Sequence, residues 1–268
     1  MMSRSRDIDP QHQRAIGRLV DSYHGDECFI ALIIGGSVAK GYARPDSDVD
    51  FMIVATDPEY ARRDAADDLF INRRDLCDYD GGFVDGKVID LAYLRDVASF
   101  GNEPSRAAFQ GAFTAFCHEQ EVEDLLPTIP VYPEQNHDRR IKAFYSMAFI
   151  QNWLMGEATR HGNPYTIQRA ASQLALYAGR LILAHNRVLY PYHKWLVRAL
   201  QDAPDKPDEF MALLTALTTA PSAESAGELF NSLRAFYDWG VQDIEAYTWF
   251  MRDIEWGWRD DRASLEDL

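Results

Sequence analysis

Two aspartates separated by one residue, Asp48 and Asp50, stand at the start of the apolar segment FMIVA. If this segment is a β-strand, residues i and i+2 point to the same face, so the two carboxylates lie side by side. Paired carboxylate oxygens suit Mg²⁺, particularly where the ion also holds the phosphates of a substrate. The spacing therefore predicts a magnesium site that handles phosphate groups.

A glycine-rich turn, Gly35-Gly36-Ser37, precedes the aspartates and directly follows the apolar run from Ile30 to Ile34. That run has the length of one buried strand, and the glycines let the backbone approach a phosphate closely. Ser37 is suited to N-cap a short helix over Val38 to Tyr42, whose free N–H groups would face the same anion. The sequence predicts a phosphate-binding loop followed by a metal-binding strand.

A further carboxylate, Asp90, interrupts an apolar segment downstream in GGFVDGKVIDLAYL. Asp85-Gly86 suits the two-residue turn of a β-hairpin, which would place Asp90 in the second strand of that hairpin. A buried carboxylate is costly unless it is paired, hydrogen-bonded or bound to a metal. Asp90 is therefore either a metal ligand or a residue that bonds the backbone at a sheet edge.

The combination of Gly36-Ser37 with Ser47-Asp48-Val49-Asp50 resembles the signature of the nucleotidyltransferases of the DNA polymerase β superfamily. The stretch GSVAKGYARPDSDVD is most similar to small single-substrate members, namely the kanamycin-type antibiotic enzymes and the minimal nucleotidyltransferases. Lys40 stands where many of these have arginine, which conserves the charge. The resemblance is specific over residues 30 to 92 and diffuse beyond them.

The resemblance implies a magnesium-dependent enzyme that moves a nucleoside monophosphate, AMP from ATP, onto a hydroxyl group and releases pyrophosphate. It implies that Asp48, Asp50 and Asp90 form the catalytic and metal-binding set, with two Mg²⁺ ions. The residues expected to contact the nucleotide are Gly35, Gly36, Ser37, Lys40, Ser47 and, from the C-terminal half, Lys194. The proton acceptor for the attacking hydroxyl would be Asp90 or a glutamate such as Glu157.

Composition narrows the choice of partners. The formal net charge of −15 repels nucleic acid and favours a small neutral or cationic acceptor, such as an aminoglycoside-like polycation. No apolar run reaches the ~18 residues of a membrane helix, and the polar N-terminus lacks the apolar core of a signal peptide. Three widely spaced cysteines indicate reduced thiols. We therefore expect a cytoplasmic protein without a membrane partner, and the oligomeric state stays open.

The chain is predicted to form two domains. Residues 1–133 form an α/β (α+β) nucleotidyltransferase domain in which helices cover one face of a small mixed sheet. Residues 134–268 form an all-α helical bundle, because the hydrophobic period becomes 3.6 residues beyond the proline cluster of residues 127–133. The acceptor is expected between the domains. Within the first domain we predict helices over residues 7–24 and from Asp57 to about Arg74, and a strand over residues 113–117.

Other functions fit parts of the sequence. The acceptor could be a protein hydroxyl, as in protein AMPylation or an antitoxin-type minimal nucleotidyltransferase, and a catalytically silent nucleotide-binding module is a third class. Arg180 and His185 resemble the ribonuclease motif of HEPN proteins, the helical partners of minimal nucleotidyltransferases. Residues five apart on a helix diverge by about 140°, however, which disfavours ribonuclease activity.

Overall fold

The computed structural model describes residues 8–262 and divides into two compact units between Tyr132 and Pro133. The first unit contains, in chain order, α1 (Pro10–Tyr23), β1 (Phe29–Ile34), α2 (Gly36–Lys40), β2 (Val49–Ala55), α3 (Asp57–Asp64), β3 (Phe70–Arg73), β4 (Val84–Ile89), α4 (Leu91–Phe100), α5 (Glu103–Ala108), β5 (Phe113–Cys117) and α6 (Gln120–Leu125). The predicted first helix and the predicted strand over residues 113–117 are confirmed by α1 and β5, although residue 7 lies outside the described residues.

The five strands form one mixed sheet in the order β3-β4-β2-β1-β5. Only the β2–β4 pair is parallel, and the other three pairs are antiparallel. All six residues of β1 are buried, as the unbroken apolar run from Ile30 to Ile34 requires of a strand near the middle of a sheet. The predicted mixed sheet is confirmed, and its one parallel pair brings β2 and β4 together at the site described below.

Helices cover both faces of this sheet. On one face, Leu19 of α1 packs in a cluster with Leu32 and Phe51 of the central strands. On the other face, Ile33 and Val54 pack with residues of α4 and α6. We expected helices over one face only, and this prediction was wrong. The central strands are apolar at successive positions, so each of their faces must be covered to leave water.

The segment predicted as a hairpin turn lies inside a strand. Asp85 and Gly86 belong to β4, which runs without a break from Val84 to Ile89. Gly86 is paired with Phe51 of β2, and a Cβ atom at Gly86 would lie 2.2 Å from Cζ of the Phe51 ring. The glycine therefore makes room for a neighbouring aromatic side chain instead of forming a turn.

The helix that begins at Asp57 is shorter than predicted. It ends at Asp64, and residues 70–73 form the edge strand β3 instead of a continuation to Arg74. Asp67 lies in the turn between them and adopts a φ angle of 53°, which is incompatible with a right-handed helix. The helix starts next to the expected position: Thr56 is its N-cap where Asp57 was expected, and Pro58 stands in its first turn.

The second unit is helical and has one main core cluster. Its helices are α7 (His137–Arg160), α8 (Pro164–His185), α9 (His193–Asp202), α10 (Phe210–Thr219), α11 (Ala223–Phe236) and α12 (Asp243–Phe250). Helix α12 continues as a π-helical turn over Met251–Glu255, followed by a 3₁₀ turn over Gly257–Asp260. Within residues 8–262, none of the helices combines the length and apolarity needed to span a bilayer. The predicted helical second half is confirmed.

Candidate functional site

The glycine turn and the second aspartate are in contact. The backbone N–H of Gly35 donates a hydrogen bond to the carbonyl oxygen of Asp50, with N and O 2.9 Å apart. Gly36 has a φ angle of 58°, and a Cβ atom at this position would lie 1.7 Å from Oδ2 of Asp50. The backbone of the turn thus lies directly against the carboxylate.

Helix α2 begins two residues earlier than expected, at Gly36 instead of Val38. Its N-cap is Gly35, so Ser37 lies inside the first turn and is not the N-cap that the sequence suggested. The Ser37 carbonyl accepts a hydrogen bond from the N–H of Tyr42, and Gly41 ends the helix with a φ angle of 71°. The glycine takes the cap position because the positive φ of Gly36 starts the helix directly after β1.

Lys40, in the last turn of α2, is half-buried beside the acidic site. Burial lowers the pKa of its ammonium group, and the negative charge of Asp50 partly opposes that shift. This electrostatic interaction places the Lys40 ammonium group near the Asp50 carboxylate. This position fits the nucleotide-binding role that the resemblance implies.

The third carboxylate of the site is Asp85, which the sequence analysis had assigned to a turn. In the parallel β2–β4 pair, Asp85 is the register partner of Asp50, so both side chains leave the same face of adjacent strands. Burial and the negative charge of Asp48 raise the pKa of the Asp85 carboxyl, whereas Lys87 lowers it. Asp85 is therefore coupled electrostatically to Asp48 and lies opposite Asp50 in the strand pair.

Asp90, the residue predicted to complete the set, lies at the other end of the strand pair. The Asp50–Asp85 pair and the Val54–Ile89 pair are about 13 Å apart along the strands, and Asp90 follows Ile89. Asp90 is the N-cap of α4, and its Oδ1 accepts a hydrogen bond from the N–H of Tyr93 at 2.7 Å. The structure therefore does not bring Asp90 to the other carboxylates. Its side chain instead caps the N-terminus of α4.

The donor set suits a magnesium ion that is shared with a substrate. Within residues 8–262, no three His, Cys, Asp or Glu side chains converge closely enough to enclose a metal by themselves. Mg²⁺ usually binds one or two carboxylates and completes its shell with water and substrate phosphates. Asp48 and Asp50 supply such a pair of hard oxygen ligands, and Asp85 adds a third carboxylate to the same face.

The turn that carries Ser47 is held by two buried or half-buried groups. The carbonyl of Ser47 accepts hydrogen bonds from Nε2 of His12, at 3.1 Å, and from the hydroxyl of Tyr79, at 2.9 Å. The hydroxyl of Ser47 accepts a hydrogen bond from the N–H of Arg44. Because Asp48 follows Ser47 directly, these contacts fix the backbone from which the first carboxylate projects. Sequence analysis missed His12 and Tyr79, which lie 36 and 31 residues from Asp48.

Tyr79→Phe is expected to lower the free energy of unfolding by about 1 kcal/mol, the typical net value of one hydrogen bond. His12 still donates to the Ser47 carbonyl, so turnover should fall by less than about fivefold, which is the rate equivalent of that energy. Urea denaturation of both proteins measures the first effect. The matched control is Tyr165→Phe at an exposed position of the second unit, and equal stabilities of the two variants would contradict the role of Tyr79.

The remaining sequence-predicted residues lie in the second unit. Glu157 of α7 forms an ion pair with Arg160, and Lys194 is exposed in the first turn of α9. Arg180 stacks between the rings of Phe144 and Tyr190, its guanidinium carbon 4.3 Å from both centroids.

His185 has different neighbours from Arg180. Its Nε2 lies 2.6 Å from Oδ2 of Asp205, and its ring packs on Tyr237 with centroids 4.6 Å apart. Arg180 and His185 thus contact different residues, as expected from their five-residue spacing. A ribonuclease site would require the two side chains to converge.

Comparison with known proteins identifies the domain and its fold. The family model of the nucleotidyltransferase domain matches residues 29–130. The fold is similar to that of a nucleotidyltransferase-like protein from Exiguobacterium sibiricum 255-15, with a TM-score of 0.50 and 10% sequence identity over 91% of this chain and 80% of that chain. A search of curated proteins gave no match. Residues 29–130 therefore form a nucleotidyltransferase domain, and the family match together with the fold supports the resemblance to the nucleotidyltransferases of the DNA polymerase β superfamily.

Proposed function

We propose that this enzyme transfers AMP from Mg²⁺-ATP to a hydroxyl group of a small molecule and releases pyrophosphate. The observation that carries the proposal is the contact of the Gly36 backbone with Asp50, whose register partner is the third carboxylate, Asp85. The glycine turn, which would bind phosphate, and the three carboxylates therefore lie at the same end of strands β2 and β4. Such an arrangement supplies the positioning and charge compensation on which phosphoryl-group chemistry depends.

The roles of the residues follow from their positions. Asp48 and Asp50 would hold Mg²⁺, which when bound offsets phosphate charge and orients the reacting oxygens. The backbone N–H groups of residues 36 and 37 and the ammonium group of Lys40 would bind the oxygens of the β- and γ-phosphates. Ser47 would support this arrangement through the turn that precedes Asp48.

Asp85 is the proposed proton acceptor for the attacking hydroxyl. Its position opposite Asp50 places this carboxylate beside the proposed metal ligands, where the proton of the attacking hydroxyl has to be accepted. Glu157, the alternative that the sequence suggested, is engaged by Arg160 in the second unit. Asp85 therefore takes the role that was assigned to Asp90 or Glu157. Lys194 remains a proposed triphosphate contact on the basis of the resemblance alone.

The proposed acceptor is a polyhydroxylated cation of the aminoglycoside type. With a formal net charge of −15, the protein attracts cations, and the electrostatic field raises their concentration near the surface. A nucleic-acid acceptor is disfavoured for the same reason. Use of ATP and the free thiols of Cys28, Cys77 and Cys117 support a cytoplasmic location.

Pyrophosphate release from ATP with Mg²⁺, measured across a panel of aminoglycosides and lincosamides, tests this function. We expect release that requires one class of acceptor, stops when EDTA removes the metal, and is matched by an adenylylated product in the mass spectrum. The control reaction contains ATP and enzyme without acceptor. Release with a purified protein acceptor alone would replace the small-molecule proposal by protein AMPylation, and tight ATP binding without any release would indicate a silent module.

A further inference from the structure

The order of the strands determines the side from which an acceptor reaches the carboxylates. The glycine turn follows β1 on one side of Asp50, and Asp85 lies on β4 on the other side. Given the proposed transfer of AMP, on which this inference rests, the attacking and leaving oxygens lie roughly in line across the α-phosphorus. Pyrophosphate that departs at the glycine turn therefore requires an attacking hydroxyl from the side of β4 and of the edge strand β3.

Three side chains on that side belong to the same face of the sheet as the carboxylates. Asn72 of β3 is the register partner of Asp85, and Phe70 is the register partner of Lys87. Partners in a ladder project from one face, with Cβ atoms about 5 Å apart, and alternate residues of a strand share that face. Lys87 follows Asp85 by two positions, which is about 7 Å along the strand. Phe70, Asn72 and Lys87 thus extend the carboxylate face to the edge of the sheet.

This part of the face is exposed. Farther across the sheet, Ile33 of β1 and Met52 of β2 pack with residues of α4 and α6. Asn72 and Lys87 are exposed instead, and Phe70 leaves 61% of its surface accessible. One exposed apolar side chain is ordinary on a protein surface. Phe70 differs by its position, because it lies on the carboxylate face beside two polar side chains that can bind hydroxyl groups.

The chemistry of these side chains matches that of a sugar ring. One face of such a ring consists of C–H groups, which pack on an aromatic ring and remove apolar surface from water. Its hydroxyl groups donate and accept hydrogen bonds. The Asn72 amide supplies donors and an acceptor, and the Lys87 ammonium group supplies three donors. Because the positive charge of Lys87 repels an amino substituent, a ring substituted with hydroxyl groups fits best at this place.

We propose that Phe70, Asn72 and Lys87 bind the sugar ring that receives the nucleotide. The ring stacks on Phe70, the two polar side chains bind its hydroxyl groups, and one further hydroxyl faces Asp85. The oxygen of that hydroxyl forms the new bond to the α-phosphorus, and its proton passes to Asp85. The bond from the α-phosphorus to the bridging oxygen breaks, and pyrophosphate leaves with the electron pair. Amino groups of a cationic acceptor belong to its other rings.

Saturation-transfer NMR on the full-length protein measures sugar binding without turnover. The probes are kanamycin, streptomycin, lincomycin and sucrose, in the presence of Mg²⁺ and the non-cleavable analogue α,β-methylene-ATP. We expect at least one probe to bind, and Phe70→Val to weaken that binding about tenfold, the effect of one lost aromatic contact. Valine keeps the β-propensity of the strand, whereas Phe70→Tyr keeps the ring and should bind as the wild type does.

Phe100→Ala is the matched control. Phe100, at the end of α4, is also an aromatic residue of the first unit and is 73% exposed, so its variant should bind the probes as the wild type does. In kinetics, Phe70→Val and Asn72→Ala should raise the KM for the acceptor and leave the KM for ATP unchanged. No binding of any probe, or equal binding by the wild type and Phe70→Val, would overturn the assignment. Binding that depends on Phe70 without pyrophosphate release from ATP would support the sugar site and contradict the proposed transfer.

Discussion

Asp85→Asn is expected to lower the rate of pyrophosphate release at least about a hundredfold, a loss typical of removing a general base or a charged group from an active site. Asp85 is the register partner of Asp50 and is coupled electrostatically to Asp48. Asparagine keeps the size of the side chain but removes both its charge and its basicity. The measurement is initial-rate kinetics with saturating ATP and acceptor.

Asp90→Asn is the matched control for this variant. Asparagine caps helices about as well as aspartate, so α4 should keep its first turn and the rate should stay within about threefold of the wild type. Circular dichroism and melting temperature establish that both variants are folded. The opposite ranking, with Asp90→Asn inactive and Asp85→Asn active, would restore the assignment that the sequence alone suggested.

Gly36→Ala is expected to remove most of the activity and to destabilise the first unit by about 2 kcal/mol. The φ angle of 58° costs an alanine about 1 kcal/mol, and the new Cβ atom would lie 1.7 Å from Oδ2 of Asp50. The carboxylate must therefore move away from the turn, which misplaces a group whose position determines the rate. Turnover and urea denaturation measure the two effects.

Gly41→Ala is the control for the backbone contribution. Gly41 has a φ angle of 71°, but among the described residues a Cβ atom there meets no neighbour within 4 Å. This variant should lose about 1 kcal/mol of stability and retain turnover within about threefold of the wild type. If Gly36→Ala behaves in the same way as Gly41→Ala, the contact of Gly36 with Asp50 has no catalytic importance.

The features that the sequence predicted correctly depend on neighbouring residues. The Asp48–Asp50 spacing, the apolar run of β1 and the glycine turn each carry their information within a few positions. A strand has a period of two residues, and a glycine pair after an apolar run ends the strand. The nucleotidyltransferase fold and its mixed sheet were predictable because these local motifs together carry the resemblance to the family.

The errors concern pairing between distant segments. Asp85-Gly86 has the local pattern of a hairpin turn, but its conformation is set by the parallel pairing of β4 with β2 and by the ring of Phe51. Neither contact is visible in the local sequence. Asp90 was chosen as the third carboxylate because it interrupts an apolar segment. Asp85 was passed over because Asp85-Gly86 has the sequence of a hairpin turn. A parallel pairing of VDGKVI with VDFMIV would have placed Asp85 beside Asp50.

The most direct test of the central claim is transfer of labelled AMP by the wild-type enzyme and by Asp50→Asn. Both are incubated with Mg²⁺, ATP labelled in the α-phosphate and the acceptor that the panel identifies. We predict that label enters the acceptor in equal amount to released pyrophosphate, and that the variant is slower by at least about a thousandfold. Equal rates for the two proteins, or pyrophosphate release without labelling of the acceptor, would contradict nucleotidyl transfer at this site.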